Sequence, residues 1–73
     1  MTTYTYTLSY RSRTGSFVRV GFNSEARMFD CAVEIDRNGG ELLDAVREVY
    51  EVRDGVAHFL RVEHYRNGKP QAA

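Results

Sequence analysis

His58 and His64 are the residues of this 73-residue chain best suited to metal binding or to proton transfer near neutral pH. On an extended segment they stand about 20 Å apart, at about 3.3 Å per residue, which is too far to share one ion. No cysteine falls at zinc-ligand spacing from either of them. Alternation places both on one strand face, flanking Leu60 and Val62, the position of ordinary sheet-edge histidines. Cys31 is the only cysteine. A Cys31–His64 pair would make a nucleophile, but between Phe29 and Val33 the thiol reads as a small buried hydrophobe whose pKa an apolar neighbourhood raises. Gly39-Gly40 precedes a predicted helix, whose N-terminus would attract anions. Its spacing matches neither a Walker loop nor a dinucleotide fingerprint, and Asp36 and Glu41 beside it repel phosphate. These glycines are read as a tight turn. No catalytic residue, metal ligand or cofactor-binding residue is therefore expected, and the chain is not expected to be an enzyme.

Two other groups of residues suit contact rather than catalysis. Glu41, Asp44, Glu48 and Glu51 form an acidic series on the outer face of the predicted helix, and such a face can steer a partner. Phe17, Arg19, Phe59, Arg61 and Tyr65 combine arginine with aromatic rings, which can stack bases and hold phosphates or anchor a protein interface. Ordinary solvation of the acids, and packing of the rings against one another or a loop, are the plainer readings of both groups. Charge is unevenly placed although it sums to zero. Residues 1–24 carry Arg11, Arg13 and Arg19 and no acid, whereas residues 25–51 carry eight acids against three arginines. Zero net charge counts against strong electrostatic binding of nucleic acid.

Both groups depend on the elements that carry them. The segment Glu41–Glu51 has a helical period: Leu42, Leu43, Val46, Val49 and Tyr50 gather on one face, with Asp44, Arg47, Glu48 and Glu51 opposite. Asn38 lies three residues ahead of Glu41, the spacing of a capping box. Thr3–Arg11 alternates, with Tyr4, Tyr6, Leu8 and Tyr10 on one side and Thr3, Thr5, Thr7 and Ser9 on the other, and predicts a strand. Ser12–Ser16 predicts a turn, and Phe17–Phe22 the returning strand, with Val18, Val20 and Phe22 inward. Met28–Asp36 alternates again and predicts a third strand, Phe29, Cys31, Val33 and Ile35 inward. Asp54-Gly55 can end the helix or close a hairpin between Tyr50–Arg53 and Val56–Phe59; helix, then turn, then strand is the expectation, with Tyr50–Arg53 open between helix end and strand. Val56–Arg66 predicts the last strand, with Phe59, Arg61 and Tyr65 on the face away from the helix.

The expected fold is α+β: a small antiparallel sheet in the order β-β-β-α-β with one amphipathic helix packed on one face. The expected domain covers residues 1–66, followed by a flexible polar tail, 67–73. A single helix covers one sheet face, so the other must meet solvent, another copy or a partner. Apolar runs stay well short of the roughly 18 residues of a membrane span. The start, Met1-Thr2-Thr3-Tyr4, lacks the basic and apolar regions of a secretory signal, and with the lone cysteine this gives a cytoplasmic expectation.

No motif in the chain identifies a family. In size and plainness alone it is similar to phage and mobile-element accessory factors, anti-CRISPR inhibitors among them. The expected function is accordingly a non-enzymatic protein-binding module that blocks a host protein surface. Two other expectations stand beside it: a nucleic-acid-binding regulator using the arginine–aromatic sheet face, and a structural homodimer.

Overall fold

Asp54 (φ 52°) with Gly55 (φ 76°), and Asn67 (φ 53°) with Gly68 (φ 77°), take positive φ at both positions. That backbone is what a two-residue type I′ turn requires, and it matches the twist of the strands on either side. The two turns link three consecutive strands into a meander. The computed structural model, which describes residues 1–72, contains β1 (Thr2–Arg11), β2 (Phe17–Phe22), α1 (Glu25–Arg37), β3 (Glu41–Arg53), β4 (Val56–Arg66) and β5 (Lys69–Ala72). The strands form one antiparallel sheet in the order β2-β1-β3-β4-β5. The α+β class and the single helix on one sheet face are as expected. The element order is not: it runs β-β-α-β-β-β.

The helix and the strand on either side of Gly39-Gly40 are exchanged relative to the sequence expectation. Residues 25–37 form the helix because both ends are capped. Ser24 is the N-cap, its side chain accepting from the Arg27 N–H at 3.4 Å, with Glu25 in the first turn and Arg37 in the last. At the other end Asn38 is the C-cap, Gly39 (φ 80°) donates to the Asp36 carbonyl at 3.1 Å and Gly40 to the Ile35 carbonyl at 2.8 Å. This is a Schellman motif, so Asn38-Gly39 stops a helix rather than starting one. Helical spacing brings Met28, Cys31, Ala32 and Ile35 to one side, whereas Val33, expected inward, is 55 % exposed.

Residues 41–53 form a strand because two alternating sets fit its two faces: Ala45, Arg47, Val49 and Glu51 on one, Val46, Glu48, Tyr50 and Val52 on the other. The adjacent Leu42-Leu43 that breaks this alternation lies at a bulge, where the register with β1 shifts between Ser9 and Tyr10. The region expected as a flexible tail is the Asn67-Gly68 turn and the edge strand β5; Ala73 lies outside the described residues.

The core lies between α1 and the sheet. Leu8, Met28 and Ile35 are buried, with Tyr6, Tyr10, Phe22, Phe29, Cys31, Ala32, Ala45 and Tyr65 packed around them. Gly40 is confined by this packing. A Cβ there would stand 2.8 Å from Ile35 Cγ2 and 3.2 Å from the Arg11 carbonyl oxygen. Gly40→Ala is expected to cost about 1–3 kcal/mol in a urea melt, the usual cost of overpacking a site that cannot relax.

Candidate protein-binding surface

Alternation along β1 decides what each sheet face displays. Tyr6, Leu8 and Tyr10 turn towards α1, so Thr3, Thr5, Thr7 and Ser9 turn away from it. Their register partners on β3 are Tyr50, Glu48, Val46 and Asp44. Across β3, Tyr50 meets Phe59, Glu48 meets Val62, and Val46 meets His64. The uncovered face therefore carries an apolar stripe of Val46, Val62, Tyr50 and Phe59 beside a row of β1 hydroxyls. Tyr50 and Phe59 pack edge to face with centroids 5.8 Å apart. Phe59 is 57 % exposed, and its neighbours Leu60 and Val56 are exposed as well.

The polar groups on this face are held in place. Glu48 accepts from the Thr5 hydroxyl at 2.8 Å and from the Thr7 hydroxyl at 2.9 Å. His64 Nδ1 lies 3.3 Å from an Asp44 carboxylate oxygen. The result is an apolar stripe interrupted by the Glu48 carboxylate and flanked by fixed hydroxyls, a mixture of apolar and polar groups as protein interfaces carry.

The expected groupings are partly dissolved by the fold. Glu41, Asp44, Glu48 and Glu51 stand on β3, not on a helix. Asp44 and Glu48 share the uncovered face, Glu41 registers with Arg11 at the strand start, and Glu51 lies on the opposite face from Glu48. There Glu51 accepts from the Met1 amino group at 3.0 Å and the Thr2 hydroxyl at 3.2 Å. The Met1 hydrogen bond and charge hold the Glu51 carboxyl below the usual glutamate range.

Phe17, Arg19 and Phe59 are on the uncovered side, but Arg61 and Tyr65 are not. The cause is a bulge in β4: Val49 registers with Arg61 and Tyr50 with Phe59, so Leu60 is the extra residue and the two flanking side chains fall on opposite faces. Arg61 and Arg47 both donate to the buried Glu63, at 2.8 and 2.5 Å, and the Arg47 guanidinium lies 4.4 Å from the Tyr4 ring centroid. The Tyr65 hydroxyl donates to Glu25 at 2.5 Å and its ring meets Phe29 edge on, at 5.6 Å. Burial first, and then Glu25, push the Tyr65 hydroxyl well above its ordinary value. Phe17 registers with Arg11, while Phe59 lies beyond Tyr50, opposite Thr3. Strand rise and spacing separate the two rings by roughly 30 Å, too far for one stacking platform.

Val46, Tyr50 and Val62 belong to this surface as well, outside the residues the sequence predicts for it. The alternation Val46-Glu48-Tyr50-Val52 carried that signal, hidden by the helical period of the same residues.

Elsewhere, Ser12, Arg13, Thr14, Arg37, Asn38 and Gly39 line a cleft of about 600 Å³ at the end of α1. Arg37 is engaged there by Glu34 at 2.8 Å, and the carbonyl end of α1 disfavours an anion. Among the described residues no group of three His, Cys, Asp or Glu side chains converges as metal ligands, and no helix is long and apolar enough to cross a membrane. Comparison with protein-family models, with curated proteins and with solved structures finds no match to this chain.

Proposed function

We propose that this chain is a protein-binding module that acts without catalysis, by laying the uncovered face of its sheet on the surface of a partner protein. The observation that supports this is the Val46–Val62–Tyr50–Phe59 stripe, exposed at Phe59 and bordered by the Thr5–Thr7–Glu48 and Asp44–His64 groups. Exposed aromatic side chains beside apolar ones are where contact energy concentrates in interfaces. Occlusion of a host protein surface, as phage and mobile-element accessory inhibitors achieve it, is the setting this reading implies.

Nucleic acid is a poorer fit to the same face. Arg61 and Tyr65 lie on the other side of the sheet, and the carboxylates of Asp44 and Glu48 occupy the space between Arg19 and Phe59. The test is affinity capture from the native lysate with nuclease present, comparing the wild-type chain with Phe59→Lys. A discrete protein held by the wild type and reduced at least tenfold by the variant, at unchanged thermal melt, is expected. Equal capture by both chains, or capture that vanishes with nuclease, would overturn the reading.

A further inference from the structure

The sheet has a gap along one edge. Among the described residues β5 pairs with β4 only from Glu63 to Arg66, so there the stretch Val56–Val62 has β3 on one side and no strand on the other. Residues 56–61 are all exposed, and Val56, Phe59 and Leu60 are among the most exposed large hydrophobics of the chain. Along such a stretch the outward backbone N–H and C=O groups are a template for a further strand. Of the devices that deter pairing, Lys69 and Pro70 lie on β5, while Val56–Val62 carries only the bulge at Leu60 and the one charge of Arg61. The bulge at Leu60 bends the stretch without charging it. The edge at β2 differs, because its Val18, Val20 and Phe22 side chains are half-buried towards the core.

We infer that Val56–Val62 pairs antiparallel with the same stretch of a second copy, joining the two sheets into one across a two-fold axis. The charge pattern favours this occupant. The stretch contains no acid, and its one fixed charge, Arg61, is drawn to Glu63 at 2.8 Å, a carboxylate it shares with Arg47. With His58 or Phe59 on the axis, Arg61 faces Gly55 or Ala57 of the other copy, so no like charges oppose one another. An antiparallel two-fold contact of this kind is closed and adds no further copies. The core gives a reason for it. Leu8, Met28, Ile35 and Val49 are the buried hydrophobics among the described residues, a small set for a chain of this length, and oligomerisation is one way such chains gain stability.

The experiment uses the purified full chain alone. Sedimentation equilibrium over a dilution series is paired with amide hydrogen exchange at the two ends of that series. The expected mass is twice 8.4 kDa at high concentration, falling towards 8.4 kDa on dilution. Backbone amides within Val56–Val62 are expected to exchange more slowly in the concentrated sample. His58→Lys places like charges at or beside the axis while facing Glu51 within its own chain. It is expected to weaken association at least tenfold with an unchanged melt in the dilute sample. A mass of 8.4 kDa up to about 1 mM would overturn the inference. So would association that leaves exchange in Val56–Val62 unchanged, a readout that stands even if the variant fails to fold. The side chain of His58 lies off the uncovered face, so capture of a partner by His58→Lys tests the proposed function separately.

Discussion

Met28→Ala is expected to destabilise the protein by about 3 kcal/mol and to lower its melting temperature by about 15 °C. Met28 is fully buried in the cluster with Leu8 and Ile35, and truncation leaves a cavity that a helix pinned by caps at both ends cannot close. For a small domain near the low end of ordinary stabilities, such a loss is a large part of the total. Val33→Ala, on the same helix and more than half exposed, is expected to change stability by less than about 0.5 kcal/mol. The contrast is diagnostic of the helix. An extended segment with Phe29, Cys31, Val33 and Ile35 inward would make Val33 costly and Met28 harmless. Chemical melts of the two variants followed by circular dichroism distinguish these patterns, and a cost at Val33 equal to that at Met28 would refute the packing described.

Glu63→Ala is expected to lower the melting temperature on the order of 10 °C at neutral pH. The carboxylate is buried and binds two guanidinium groups, so its removal leaves Arg47 and Arg61 side by side without a counter-charge. Arg47 has little freedom to retreat, since it is partly buried and lies over the Tyr4 ring. The same site sets an acid limit. Hydrogen bonds from Arg61 first, and then from Arg47, hold the Glu63 carboxyl below its ordinary value of 4.5. A carboxyl depressed in the folded state contributes stability that is complete above 4.5 and lost as pH falls through the folded value. Glu51, lowered by the Met1 amino group, adds to the loss in the same window. The wild-type melt is therefore expected to fall steeply below about pH 4, and that of Glu63→Gln to fall less. Parallel pH profiles would exclude Glu63 as a source of the acid sensitivity.

How far the sequence discloses the fold varies by element. The β1–β2 hairpin is legible because strict alternation in Thr3–Arg11 leaves one assignment of faces, and Ser12–Ser16 contains the glycine the turn needs. The exchange of helix and strand around Gly39-Gly40 has a specific origin. Residues 41–51 place apolar side chains at helical intervals, yet Val46, Val49 and Val52 with Tyr50 favour a strand, and long-range pairing with β1 and β4 decides the outcome. Residues 28–36 suggest alternation, but Ser24-Glu25 and Arg37-Asn38-Gly39 mark the two ends of a helix. End signals were the better guide there than periodicity. The faces of β4 were out of reach for another reason: the bulge at Leu60 reverses the alternation at a point that no residue type announces. That single extra residue separates Phe59 from Arg61 and Tyr65, and with them the candidate surface.

The strand order also divides the chain by sequence separation. β1 and β2 pair locally, and β3, β4 and β5 pair locally; the ladder of Thr2–Arg11 with Glu41–Glu51 alone joins these strand groups within the sheet. Two-residue hairpins close in microseconds, whereas that ladder requires a long intervening segment to be brought round. Folding speed is therefore expected to depend on one seam. In stopped-flow measurements, weakening contacts between β1 and β3 is expected to slow folding, and weakening the β4–β5 hairpin to speed unfolding.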